Sequence, residues 1–338
     1  KRYKPSVSNA LDKRAGLNLT YRTLGSILKY DQVIEQNRSD DTKVRKGYYH
    51  CDREIVADIK KAVCPGVDFS SRKFKTIECQ IMDVADDIAY STYDIEDTFK
   101  AGFLTPSKIL TFDQTVIEEV AIEVGRRIND DNFSASNVTE VFLDLFSQFV
   151  LPAEDLSPGS EDIEVERVLA ALTYQQDLDA IAQDGNLRTS FTSYLVGRFI
   201  SGVEVEIDEE LPQLSTISIR PEILREIEVL KNFTYLATIR SSRVAVSEFR
   251  GKGIVSEIFA ALDGKKGRLL LPQDYQELFD ASTEESVRKR TLCDFVAGMT
   301  DRYAIEYITR GERRWSARPS DQRSGCHRYT ASQRRVRG

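Results

Sequence analysis

The chain has 338 residues, 41% of them hydrophobic and 30% charged, and carries a formal net charge of −7. That length suits one large domain or two moderate ones around a sizeable core. An acidic balance speaks against broad nucleic-acid binding, where basic faces dominate affinity, and no apolar run approaches the ~18–20 residues that cross a bilayer.

Taken in chain order, the segment Lys1–Pro5 has no apolar stretch behind it and does not read as a secretory signal. It does not open with Met, so upstream sequence is expected to be missing. Helical patterning prevails after it. Thr20–Lys29 reads as a short helix, and Arg53–Val63 as another that Pro65-Gly66 stops. Phe74–Ala101 runs without Pro or Gly to a C-terminal cap at Gly102. Further helices are expected over Asp113–Asn129, Thr139–Val150, Glu161–Gln183, Arg188–Ile200, Pro221–Ile239, Val244–Leu262 and Glu284–Thr309. Between Ser201 and Arg220 the alternation of Val203, Val205 and Ile207, followed by Ile217 and Ile219, fits a small β-hairpin or an irregular excursion. GKKG (Gly264–Gly267) and Leu271-Pro272 mark a break. The expected fold class is all-α.

From about Gly311 the character changes. Arg310–Gly338 holds nine arginines against two acidic residues, with little helical periodicity, so the body before it is more acidic than the whole. The segment reads as a disordered tail or the product of a shifted reading frame. Arginine count alone supports a nucleic-acid-binding arm only weakly. The five cysteines form no CxxC pair, which argues against a zinc ribbon or a disulfide framework and for free thiols in a reducing cytoplasm. His50 and His327 are the only histidines, which limits transition-metal chemistry.

The stretch richest in chemistry is Glu78–Gly102, ECQIMDVADDIAYSTYDIEDTFKAG. At ~100° per residue, Ile77, Ile81, Val84, Ile88, Ile95 and Phe99 fall in one stripe, the expected core face. Asp86, Tyr90 and Asp94, at i, i+4 and i+8, share the nearly opposite face, with Asp83 and Asp97 beside them. Most acidic faces opposite an apolar stripe are simply solvated. Here Tyr90 interrupts the row, and few basic residues are spaced to relieve repulsion that costs a few tenths of a kcal/mol per like-charged i, i+4 pair. A bound cation, or a ligand offering hydroxyls and metal-bound phosphates, would compensate.

This stretch resembles the late motif of the dGTPase-type deoxynucleoside triphosphate triphosphohydrolases of the HD-domain superfamily. GLNLTYRTLGSILKYD (Gly16–Asp31) resembles the segment that family places before this helix, and DFVAGMTDRYAIEY (Asp294–Tyr307) its closing helix. LVGRFI (Leu195–Ile200) and Leu230–Leu262 look like the associated C-terminal region. The resemblance implies a mostly helical, HD-domain-like bundle with a helical extension. It divides the chain into the C-terminal part of a catalytic domain (1–150), an associated helical region (151–310) and the tail (311–338).

The implied activity is hydrolysis of a deoxynucleoside triphosphate, dGTP first among them, to the deoxynucleoside and inorganic triphosphate. The implied metal site is a His, a His-Asp pair and a later Asp, which carries over to Asp86 as catalytic residue and ligand of Mg²⁺ or Mn²⁺. Tyr90 would pack on the substrate, leaving little room for a 2′-hydroxyl, and Asp94 would accept a hydrogen bond from the sugar 3′-hydroxyl. Lys29, Arg240 and Arg243 are candidates for holding phosphate, with Arg250 and Lys252 behind them; each side chain read alone is a surface cation. A homo-oligomer is also implied. The departure is the metal set: the family's first His and His-Asp pair precede the segment resembled by Gly16–Asp31, where this sequence has no His, and His50 stands in His-Cys-Asp. The expectation is a chain inactive and poorly soluble on its own unless a partner chain supplies the ligands. The alternative is a non-catalytic nucleotide-binding or regulatory subunit on the same scaffold.

Overall fold

The structure, a computed structural model, describes residues 17, 19–34, 45–149 and 163–315. Residues 311–315, read as the start of the tail, are helical, and His327 with the rest of the tail from 316 onward lies outside the described residues. The chain forms two compact units, Lys1–Ser241 and Ser242–Gly338. The all-α expectation holds: the described residues are mostly helical, with two two-stranded β pairs.

The first unit carries α1 (Tyr21–Ser26), β1 (Val33–Ile34), β2 (Tyr48–Tyr49), α2 (Arg53–Val63), α3 (Ile77–Lys100), α4 (Pro106–Leu110), α5 (Gln114–Ile128), α6 (Ala135–Ser147), α7 (Ile163–Gln183), α8 (Gly185–Ser201), β3 (Val203–Glu206), β4 (Thr216–Ile219) and α9 (Pro221–Thr234). Side-chain caps set most of the starts. Thr20 accepts from the Thr23 N–H at α1, Thr76 from the Cys79 N–H at α3, and Asp184 from Asn186 and Leu187 at α8. A Ser134–Asn137 capping box starts α6 at Ala135, four residues before the expected Thr139. α3 ends with Gly102 in the left-handed region at φ +68°, as its sequence suggests.

The central core of this unit is aromatic. Phe99, Phe142, Phe146, Phe191, Phe199 and Phe233 are buried together with Ile95, Leu195 and Ile227. α3 packs against α8 and α9 through it. A smaller cluster of Ile59, Cys64, Phe74 and Leu214 lies around α2 and the approach to α3. β3 and β4 form the antiparallel hairpin suggested at 201–220, pairing Val203 with Ile219 and Val205 with Ile217. Gln80 of α3 clamps that hairpin: its amide donates to the Ser215 carbonyl at 2.7 Å and accepts from the Ile217 N–H at 3.0 Å. Gly202 has no room for a side chain, since a Cβ there would meet Ile223 of α9 at 2.6 Å.

The helix expected over Pro221–Ile239 stays α-helical to Thr234 and then takes one π turn, Tyr235–Ile239. The Arg240 N–H closes that turn on the Tyr235 carbonyl.

The second unit holds α10 (Ser242–Asp263), α11 (Gln273–Asp280), α12 (Glu285–Ala297) and α13 (Asp301–Trp315) around Ile258, Leu262, Leu271, Leu292 and Phe295. The single helix expected over Glu284–Thr309 is two. The Gly298 N–H closes α12 on the Asp294 and Phe295 carbonyls, and the Thr300 hydroxyl accepts from the Tyr303 N–H to start α13. A Gly stop followed by a Thr start outweighs the continuous apolar spacing.

Candidate functional site

α3 brings the acidic row together, but its surroundings differ from the expectation. Ile88, Ile95 and Phe99 are buried as the stripe requires. Ile81 is not: it is 52% exposed. With Val84, Ala85, Ala89 and Tyr93 it lines an open apolar hollow of about 410 Å³ against Val196 and Ile200 of α8. In the C-terminal half of α3, Ser91, Thr92 and Thr98 join the buried side. The three hydroxyls donate to helix carbonyls one turn back, which makes their burial inexpensive.

The acidic row also has the basic partners its own spacing lacks. The Lys29 ammonium lies 2.8 Å from an Asp86 oxygen and 2.9 Å from an Asp83 oxygen. Lys75 ion-pairs with the second Asp83 oxygen. Lys231 of α9 bridges Asp87 at 3.2 Å and the buried Glu228 at 2.6 Å. Burial works against the Asp83 carboxylate, but the Lys29 and Lys75 ammoniums outweigh it and hold the carboxyl below its ordinary range. The same two aspartates raise the pKa of Lys29. The sequence alone does not single out Lys75 or Lys231. They lie in the approach to α3 and on α9, and no spacing within Glu78–Gly102 points to them.

Further along, Tyr90 is 54% exposed and Asp94 is half-buried. Burial, and then the nearby Asp97 charge, push the Asp94 carboxyl up. Among the described residues no basic side chain ion-pairs with Asp94 or Asp97.

The remaining candidates spread out. Arg240 ion-pairs with Glu119 of α5. Lys252 pairs with Glu248 one turn away on α10, and Arg250 is exposed. The side chain of Arg243 lies outside the described residues. His50 is exposed in a single 3₁₀ turn, His50–Asp52. Cys51, Cys64, Cys79 and Cys293 are free.

The donors present do not fit the implied Mg²⁺ or Mn²⁺ centre. Among the described residues no three His, Cys, Asp or Glu side chains converge, and the Asp86 carboxylate is engaged by an ammonium. Hard divalent ions need several oxygen donors around one point. Among the described residues no helix is long and apolar enough to cross a membrane.

Residues 217–310 match the Phosphohydrolase-associated domain family. The chain is 41% identical over 312 residues to the deoxyguanosinetriphosphate triphosphohydrolase-like protein 2 of Mesorhizobium japonicum, covering 88% of this chain and 65% of that relative. It is 29% identical over 319 residues to the deoxyguanosinetriphosphate triphosphohydrolase-like protein of Aliivibrio fischeri, covering 86% of this chain and 63% of that relative. The chain thus spans a little under two thirds of the length of the curated relatives it matches. The resemblance read from residues 16–31, 78–102 and 294–307 holds over most of the chain.

Proposed function

We propose that this chain is the sugar- and phosphate-facing part of a deoxynucleoside triphosphate triphosphohydrolase, with dGTP as the substrate to test first. The observation that supports it is the row Asp86, Tyr90 and Asp94 on one accessible flank of a well-anchored helix, with the Lys29 ammonium at its phosphate end. Tyr90 offers an exposed ring for a deoxyribose to lie on. Asp94 accepts a hydrogen bond from the 3′-hydroxyl, and a neutral donor relieves the burial its charge otherwise suffers. Lys29 has three N–H donors; it donates to Asp86 and makes an ion-pair contact with Asp83, which leaves a donor for a phosphate oxygen. Arg240 and Arg243 are secondary candidates. The domain reading, a homo-oligomeric state and a cytoplasmic location belong to the same proposal.

The donor set favours a second reading for the chain taken alone. A single carboxylate that is already ion-paired does not activate water, so the described residues suit binding of a nucleotide better than its hydrolysis. The experiment is calorimetric titration of the chain with dGTP and GTP, run beside an assay for released inorganic triphosphate. The reading expects binding of dGTP over GTP that Tyr90→Ala and Asp94→Asn weaken. Triphosphate release that Asp86→Ala abolishes would establish the enzyme. Equal binding of dGTP and GTP, unmoved by either substitution, would sink the assignment of the row to the sugar.

A further inference from the structure

Deepening that reading, and resting on Asp86 as its phosphate-end carboxylate, we propose that the Lys29 ammonium is the resident cation of the acidic row. It takes the place at Asp86 that a divalent ion would need, so the chain by itself does not capture Mg²⁺ or Mn²⁺ there.

Asp83 and Asp86 are one turn apart on α3, and one ammonium reaches an oxygen of each, at 2.9 and 2.8 Å. Lys75 closes the other oxygen of Asp83. These two carboxylates therefore meet two fixed positive charges, and a further cation would enter a site already neutralised.

The lysine is also held in place. Upstream, Arg22 of α1 ion-pairs with Glu78 at the start of α3. Downstream, the Asp31 carboxylate, 12% exposed, is 2.6 Å from the Lys60 ammonium of α2 and accepts the Phe74 N–H at 3.2 Å. Two anchors, seven residues before Lys29 and two after it, fix its backbone against α2 and α3. Displacing the ammonium means stretching a side chain whose base cannot follow. A divalent ion at Asp86 must also find its other donors, and the described residues offer no converging set.

The test uses the full chain with Mn²⁺ alone as the probe, read as bound Mn²⁺ by electron paramagnetic resonance and as a shift in Tm. The wild-type chain should show no Mn²⁺ binding that Asp86→Asn removes. Lys29→Met should gain Mn²⁺ affinity by about tenfold or more, and the gain should vanish in the Lys29→Met, Asp86→Asn double variant. Lys29→Arg, which keeps the charge, should behave as wild type. Wild-type Mn²⁺ binding lost in Asp86→Asn would overturn the proposal, and so would a folded Lys29→Met chain with unchanged affinity. If Lys29→Met does not fold, the comparison of wild type with Asp86→Asn decides by itself. Titration of dGTP in EDTA separates this inference from the functional reading. Metal-free binding of dGTP alongside Asp86-dependent Mn²⁺ capture would sink only the counter-ion idea, whereas no dGTP binding with no Mn²⁺ capture would sink only the nucleotide assignment.

Discussion

The acidic face of α3 falls into two halves that its sequence presents as one. From Asp83 to Asp87 every carboxylate meets an ammonium, from Lys29, Lys75 or Lys231. From Tyr90 to Asp97 none of the described residues supplies a cation, and the Asp94 carboxyl is pushed up by burial and by Asp97. Helical spacing shows where charge gathers but not whether it is compensated. Compensation depends on which other elements pack alongside. The matched half is built for rigidity, and the unmatched half keeps an unspent capacity to accept hydrogen bonds.

The largest loss is expected where matching is tightest. Arg198 of α8 holds the buried Glu226 of α9 with two bonds of 2.7 Å and also reaches Asp144 at 3.1 Å. Arg198→Met strands a buried carboxylate and should cost ~3 kcal/mol in urea unfolding; a loss below ~1 kcal/mol would show that matched pairs here do not carry the packing. Lys29→Met comes next, at ~0.5–1 kcal/mol, because the pair is partly exposed and screened. Its pH dependence has a defined sign. Asp83 is held below its ordinary 3.8, so its share is present above that value and fades as pH falls through the lowered one. Lys29 is raised above its ordinary 10.5, so its share is full below that value and fades only as pH rises through the raised one. The difference in Tm between wild type and Lys29→Met should be flat across neutral pH and close at both extremes.

Smaller effects sharpen the unmatched half. Tyr90→Ala should leave stability within ~0.5 kcal/mol, as an exposed side chain does, while weakening dGTP binding about tenfold in calorimetry. Asp94→Asn should raise stability at pH 7 by a few tenths of a kcal/mol after solvent screening. A raised folded pKa means the proton stabilises the fold at low pH and that this share is lost as pH rises, so the variant's advantage should disappear below about pH 4. The same substitution should weaken dGTP binding, so that the two measurements move in opposite directions.

Much of the fold was legible. The bounds of Arg53–Val63 are legible to the residue, and of the two conformations that the alternation at 201–220 allows, a hairpin or an irregular excursion, the structure takes the hairpin. Other bounds moved where a capping side chain acted, at Ser134 and Thr300, because one hydrogen bond at a helix end outweighs weak periodicity. Two short helices, α4 and α11, are not legible in the sequence, because five and eight residues hold too little periodic signal.

By itself the sequence determined that α3 forms, that it stops at Gly102, and that Asp86, Tyr90 and Asp94 share one flank, because all three follow from local hydrogen bonds and a fixed turn per residue; its start moves from the expected Phe74 to Ile77, where Thr76 caps it. Only the tertiary structure decided that Ile81 stays exposed and that Lys29, 57 residues upstream of Asp86, sits on its carboxylate. Which element covers a helix, and with what charge, is settled by contacts between residues distant in the chain. No spacing within the helix encodes them.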